Sequence, residues 1–341
     1  MPSTTIKDVA RLAGVDHSTV SRALRGSPLI SSETTDRVRQ AAVKLGYQPS
    51  AAARSLKTRS SRVLGVVVSQ IDDPFFGEVL QGVEEAAQSS GYSLFIAASQ
   101  HDQERQEAIV RAMREHRVDG LIICSTSFDS VQNRQFLDDG IPIVVVNNQS
   151  EKDYKYSIYH DDVDGSRQIT RHLLELGHRR IAYLGNSLSG RTTLDRLSGV
   201  EQELKAAGLE IPPTYVFEVA GGKSEHGFAA IKSLLGLSRR PTALICFNDM
   251  LAIGALQGLQ QAGFQVPQDI SITGFDNIAF SAYTQPPLTT FDQPKRFIGA
   301  EAARLILGLL ESAEGSLSSQ ESAIKVLQGR LLLRASTAAP Q

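Results

Sequence analysis

The 341-residue chain has no tryptophan, only three methionines and two cysteines, and an aromatic content of 6%. Cys124 and Cys246 each close an apolar run (LIIC and LIC); two such thiols make neither a disulfide framework nor a metal cluster, and they read as buried and free. No apolar run approaches the roughly 18 to 20 residues of a membrane-spanning helix. Residues 1–20 also lack the uninterrupted apolar core of a secretion signal, so a cytoplasmic location is expected. A phosphate-cradling GxxxxGKS, a nucleophile elbow GxSxG and a histidine paired with a nucleophile are all missing, which argues against an enzyme and against a metal or cofactor. A large charge imbalance is missing too, since the net charge is −2. That average hides a split: through Arg62 there are 11 Lys or Arg against 4 Asp or Glu, and beyond it 24 against 33. A basic front on an acidic body suggests a polyanionic partner for the front alone.

The front is what the chain does have. In TIKDVARLAGVDHSTVSRAL (5–24), Ile6, Val9, Ala10 and Ala13 recur at helical spacing, Gly14 permits a sharp reversal, and Val20, Ala23 and Leu24 form a second stripe. Thr5 with Asp8 fits a cap for the first helix and Asp16 a cap for the second, leaving His17, Ser18, Ser21 and Arg22 polar and outward. The pattern predicts a helix-turn-helix whose second helix meets base edges with His17 and Ser18, and with Arg22 one turn later. A third helix follows in SSETTDRVRQAAVKLGYQPS, capped by Ser31 or Ser32, buried along Val38, Ala41, Ala42 and Leu45, and stopped by Gly46 and Pro49. Residues 50–62, SAAARSLKTRSSR, favour a helix but bury almost nothing, and short isolated helices are marginal in water. They read either as a flexible linker or as a hinge that folds on DNA, with Leu56 as a minor-groove wedge and Arg54 and Lys57 on phosphates.

From Val63 onward, short apolar runs (VLGVVV, YSLFIAA, GLIIC, IPIVVV, RIAYLG, ALICF, ISITGF) alternate with amphipathic stretches. Near-continuous apolar strands separated by helices predict parallel, doubly wound sheets covered on both faces. Ligands bind beyond the carboxyl ends of such strands, where the chain places Ser69, Ser99, Ser125, Asn147, Asn186, Asn248 and Asp276. About 270 residues exceed one core, so two lobes with a cleft are expected, with a break near 159–162 and a recrossing near 288–292. The expected α/β organisation is a helix-turn-helix headpiece (1–49), a hinge (50–62), a first lobe (63–160 with 292–322) and a second lobe (161–291 with 323–337). The second lobe includes a closing strand around 324–333.

The motifs IKDVARLAGVDHSTVSRAL, ISSETTDRVRQAAVKLGYQPSAAARSL, DDPFFGEVLQGVEEAAQSSGY, LLELGHRRIAYLG, RLSG, FNDMLAIGALQGL, VPQDISITGFDN and PPLTTFDQP occur in order from Thr5 to about Thr337. On them the chain resembles the LacI/GalR family of bacterial transcriptional regulators, which includes the lactose and purine repressors. The resemblance implies a homodimeric repressor on a pseudo-palindromic operator, controlled by a small-molecule effector between two lobes that resemble periplasmic sugar-binding proteins. It implies base reading by His17, Ser18 and Arg22, with Thr5, Thr19, Ser21, Arg25, Tyr47 and Ala53 as further DNA-contacting positions, and a kink made by Leu56 between Arg54 and Lys57. Effector contacts map to Phe75, Phe76, Ser125, Asn147, Arg191, Arg196, Asn248, Asp276 and Gln293.

Physical roles stand beside that mapping. Asn248 and Asp276 suit adjacent hydroxyls or ring nitrogens, and the fork of Arg196 suits a hydroxyl pair or a carboxylate. Phe75 and Phe76 suit stacking on a flat ring or a sugar face, with a place in the core as the alternative for either. Arg191 reads equally as a solvated loop cation. Where many family members carry a stacking Phe or Trp, this chain has Gly221, Gly222 and Lys223, a departure that points away from a purine or simple hexose and toward a phosphorylated or acidic ligand. The rival to a regulator with a sugar-like effector is a solute-binding protein of a transport system, which shares the cleft but requires export.

Overall fold

In the computed structural model, residues 4–47, 60–124, 141–147, 155–313 and 323–341 are described. The chain forms two compact units, residues 1–61 and 62–341. In the first, α1 (Ile6–Ala13), α2 (His17–Leu24) and α3 (Ser32–Lys44) share a core of Val9, Ala10, Ala13, Val20, Ala23, Val38, Ala41 and Ala42. Gly14 takes φ +64 at the reversal, a conformation that costs glycine nothing. Thr5 donates from its hydroxyl (2.7 Å) and its N–H (3.0 Å) to Asp8, which holds the Asp8 carboxyl below its usual range. Of the two serines proposed for α3, Ser31 is the cap, accepting from the Thr34 N–H at 3.3 Å.

The second unit holds two six-stranded sheets. The first contains β1 (Val63–Val68), β2 (Ser93–Ala98), β3 (Gly120–Cys124), β4 (Ile143–Val146), β5 (Tyr156–His160) and β11 (Ala323–Leu327), in the order β11-β5-β4-β3-β1-β2, all parallel. The second contains β6 (Ile181–Asn186), β7 (Val216–Val219), β8 (Ala243–Cys246), β9 (Ser271–Asp276), β10 (Thr289–Asp292) and β12 (Arg330–Leu332), in the order β12-β10-β9-β8-β6-β7, with only β12 antiparallel. Helices α4 (Pro74–Ser89) and α10 (Lys295–Ala313) cover one face of the first sheet over Leu64, Val66, Ile122, Val144 and Ile158, and α5 (Gln103–Glu115) covers the other over Val67, Leu121 and Ile123. Around the second sheet, α8 (Ser224–Leu235) and α9 (Asp249–Gln261) pack over Leu184, Leu244 and Ile272, while α6 (Asp162–Glu175) and α7 (Arg191–Ala206) pack over Tyr183, Ile245 and Phe275. Burial from both sides is why these strands read as unbroken apolar runs. Each such Leu, Ile or Val contributes about 1.5–3 kcal/mol on leaving water.

The close of the chain differs from the expectation. The segment around 324–333, assigned as one strand of the second lobe, is two strands: β11 pairs with β5 in the first sheet and β12 with β10 in the second. Alternation marks a strand but says nothing of which sheet receives it. Strands β5, β7 and β10 were not among the apolar runs, because YSIYH and TTFD carry polar residues that are buried and bonded, and VFEV lies half-exposed at a sheet edge. Cys124 and Cys246 are buried and free, ending β3 and β8; burial alone pushes the Cys124 thiol up to about 12.

Candidate functional site

On the headpiece, His17, Ser18, Arg22 and Arg25 are exposed along α2, and Thr19 and Ser21 are half-buried. Asp16 occupies the cap position but spends its carboxylate on His17 Nδ1 (2.8 Å) instead of a backbone N–H. Arg25 folds back on Ser21, donating to its carbonyl and hydroxyl at 2.9 Å each. Tyr47 packs against the three-helix core, and Thr5 is held by Asp8. Ala53, Arg54, Leu56 and Lys57 lie outside the described residues.

In the second unit the carboxyl ends of both sheets line a cleft. Of the nominated effector contacts, Phe75, Phe76, Asn147, Arg196, Asn248, Asp276 and Gln293 meet there. Phe75 is buried in the core and Phe76 half-buried, edge to face at 5.2 Å, so Phe76 offers the more open ring. Ser125 lies outside the described residues. Arg191 is not brought to the cleft; it opens α7 and donates to Asp195 at 2.7 Å with most of its side chain in solvent. Ser99 gives its hydroxyl to the Val68 carbonyl and does not line the cleft.

Arg196 is the electrostatic centre. Its guanidinium lies 3.8 Å from the Phe275 ring centroid and 4.4 Å from that of Phe247, donates to Asp162 at 2.7 Å and to the Phe247 carbonyl, and stands 3.7 Å from Asp276. Burial opposes charge on Asp162, but His160 and Arg196 overcome it and hold its carboxyl down at about 2. Burial dominates at Asp276 and pushes that carboxyl well above its usual range, against the pull of Arg196. Gln293 donates to Asp276 at 2.6 Å, leaving its own Oε1 buried without a hydrogen-bond partner, as is Asn147 Oδ1. Asn248 caps α9 through Leu251 N–H (2.8 Å) and donates to the Gly222 carbonyl (3.0 Å). Gly222 itself must be small, because a Cβ there would come within 2.9 Å of Asn248 Nδ2.

Lys223 is paired with a carboxylate outside the cleft lining. Its ammonium reaches from the start of α8 to Asp72 in the β1–α4 loop at 2.7 Å, and it is absent from the lining. With Arg196 engaged by Asp162 and the Phe247 carbonyl, the described lining sets amides, hydroxyls, carboxyls and the His101 imidazole beside the rings of Phe75, Phe76 and Phe247. Gln70, Asp73, His101, Ser189, Thr192 and Phe247 also line the cleft and were not nominated. Asp73 was the most legible of these, since an acidic residue before Pro74 at a helix start is a cap, here accepting from Phe75 N–H at 2.9 Å.

A helix-turn-helix front and a two-lobed ligand-binding body define a DNA-binding transcription regulator. A model of the bacterial regulatory proteins of the lacI family matches residues 5–50, and a model of periplasmic binding proteins and the sugar-binding domain of the LacI family matches residues 61–328. The HTH-type transcriptional repressor PurR of Aliivibrio salmonicida (strain LFI1238) is 38% identical over 306 residues, 89% of this chain and 91% of that protein. The lac repressor dimer bound to operator and the anti-inducer ONPF superposes with a TM-score of 0.87 at 27% identity, covering 99% of this chain and 100% of that one. The transcriptional regulator CelR in complex with cellobiose gives 0.72 at 29% identity, covering 98% and 99%. The chain belongs to the LacI family of bacterial regulatory proteins. Its relatives are repressors, and it is neither an enzyme nor the solute-binding protein of a transporter.

Proposed function

We propose that the chain is a cytoplasmic homodimeric repressor whose hold on a pseudo-palindromic operator is set by a neutral sugar or sugar derivative in the cleft. The observation that carries the ligand class is a lining of amides, hydroxyls and carboxyls, with the rings of Phe76 and Phe247 beside them, around an Arg196 already paired with Asp162. Relatives support the rest: the lac repressor is a dimer on its operator, and CelR holds cellobiose. His17, Ser18 and Arg22 read bases, Leu56 kinks the site, and Phe76, Asn147, Arg196, Asn248, Asp276 and Gln293 contact the effector. Residues 1–49, 50–62 and the two lobes act as reader, hinge and sensor.

The test is selection from randomised duplex DNA at physiological salt, with and without sugars, sugar phosphates and nucleosides. A palindromic consensus whose affinity shifts with a neutral ligand is expected, and Arg22→Ala relaxes one base pair in each half-site at a cost of about 1–3 kcal/mol. Equal affinity for random duplex, or a shift only with anionic ligands, overturns the reading.

A further inference from the structure

Lys295 is the first residue of α10, and only 2% of its side chain is exposed. A cation in the first turn of a helix opposes the helix dipole, and burial strips its hydration, so protein groups must solvate the ammonium. Here Nζ donates to the carbonyls of Asp276 (2.5 Å) and Asn277 (3.1 Å), with Glu78 at 3.5 Å and Asp292 at 3.8 Å. The carbonyls end β9 in the second sheet, whereas Glu78 belongs to α4, which α10 packs against over the first sheet. Asp276 and Asn277 take φ of +112° and +51°, a left-handed excursion that a residue with a Cβ adopts only when its surroundings hold it. Other groups hold that turn too: Thr290 accepts from Asn277 N–H (3.2 Å), Asp292 from Asn277 Nδ2 (3.0 Å) and Asp249 from Ile278 N–H (2.8 Å), while Arg334 donates to Asn277 Oδ1 (2.7 Å) and Gln293 to the Asp276 carboxyl (2.6 Å). None of these comes from the helices over the first sheet.

We propose that the Lys295 ammonium is a positioning residue that fixes the strained Asp276–Asn277 turn, and with it the cleft-facing Asp276 carboxyl, against α4 and α10 of the first lobe. A methionine in its place fills a similar volume but leaves the Asp276 and Asn277 carbonyls and the Glu78 and Asp292 carboxylates without their shared counter-charge. The cleft carboxyl then loses its registration with the first lobe. This inference rests on the cleft being the effector site.

Hydrogen exchange of the full-length protein tests it, alongside thermal shifts with D-ribose, cellobiose and guanosine as probes. Lys295→Met is expected to speed amide exchange at residues 276–278 at least tenfold while the amides of β6 and β8 stay as in wild type, and to abolish any probe-induced shift in Tm. Lys295→Arg, which keeps the charge, restores protection and shift, a rescue that loss of packing alone does not give. Wild-type exchange at 276–278 in Lys295→Met, or an arginine variant that behaves like the methionine one, overturns the inference. If Lys295→Met does not fold, Glu78→Gln carries the decision: faster exchange in the Asp276–Ile278 turn supports the link to α4, and no change overturns it. A wild-type protein unmoved by every probe counts against the effector reading, while the exchange comparison still judges Lys295.

Discussion

At the scale of single residues, the buried carboxyls divide into two kinds. Asp162 sits below its ordinary pKa, so its contribution is in place above pH 4 and is lost as pH falls through about 2. Asp249 is the reverse: burial pushes it up to about 7, with its bonds from Thr290 and Ile278 opposing. The native state therefore keeps a proton that the unfolded chain releases near pH 4; this contribution is whole below pH 4 and fades as pH rises through 7. Asp249→Asn removes the charge and keeps an acceptor oxygen for the Ile278 N–H, while the Thr290 hydroxyl, which donates to Asp249, turns to accept from the new amide. Urea titrations at pH 5 and pH 8 should show the wild type losing stability, on the order of 2–3 kcal/mol from this group, and the variant losing much less. The same scale shows why the site was half legible. Apolar runs ending in Asn or Asp announced Asn147, Asn248 and Asp276, but Arg191 and Arg196 lie five residues apart on one helix, about 140° around its axis. Only Arg196 turns to Asp162, and sequence spacing could not choose between them. Lys223 likewise found Asp72, 151 positions away.

At the scale of elements, the two helices over the first sheet touch backbone to backbone. A Cβ on Gly82 of α4 would strike the Arg296 carbonyl, and one on Gly299 of α10 would strike the Val79 carbonyl, a reciprocal contact that only glycine allows. Gly82→Ala should therefore cost roughly 1–3 kcal/mol or more in chemical denaturation, since the helices must part. Gly308, on the exposed side of the same α10, has nothing near its missing Cβ, and Gly308→Ala should stabilise by about 0.5–1 kcal/mol. Both helices were readable from their periodicity, and GEVLQG and KRFIGA displayed the glycines. Which glycine met a neighbour was not readable, because the partner comes from the far end of the chain.

At the scale of the whole molecule, the headpiece core and the cores of the body draw on separate residues. A fragment beginning at Arg62 should unfold cooperatively and keep any ligand-induced rise in Tm, yet bind no operator at 100 mM salt, where full-length protein does. Calorimetry and gel shift check the two halves of that statement. Phosphate contacts dominate affinity for DNA, and the asymmetry that sets a basic front on an acidic body was visible in the charge count alone.

The path of the chain through the body has a consequence of its own. It passes from one sheet to the other after His160, after Asp292 and again between Leu327 and Arg330. Three crossings, rather than one, therefore tie each lobe to the other. Neither lobe is a continuous stretch of sequence, and no single protease cut or shortened gene can release one intact.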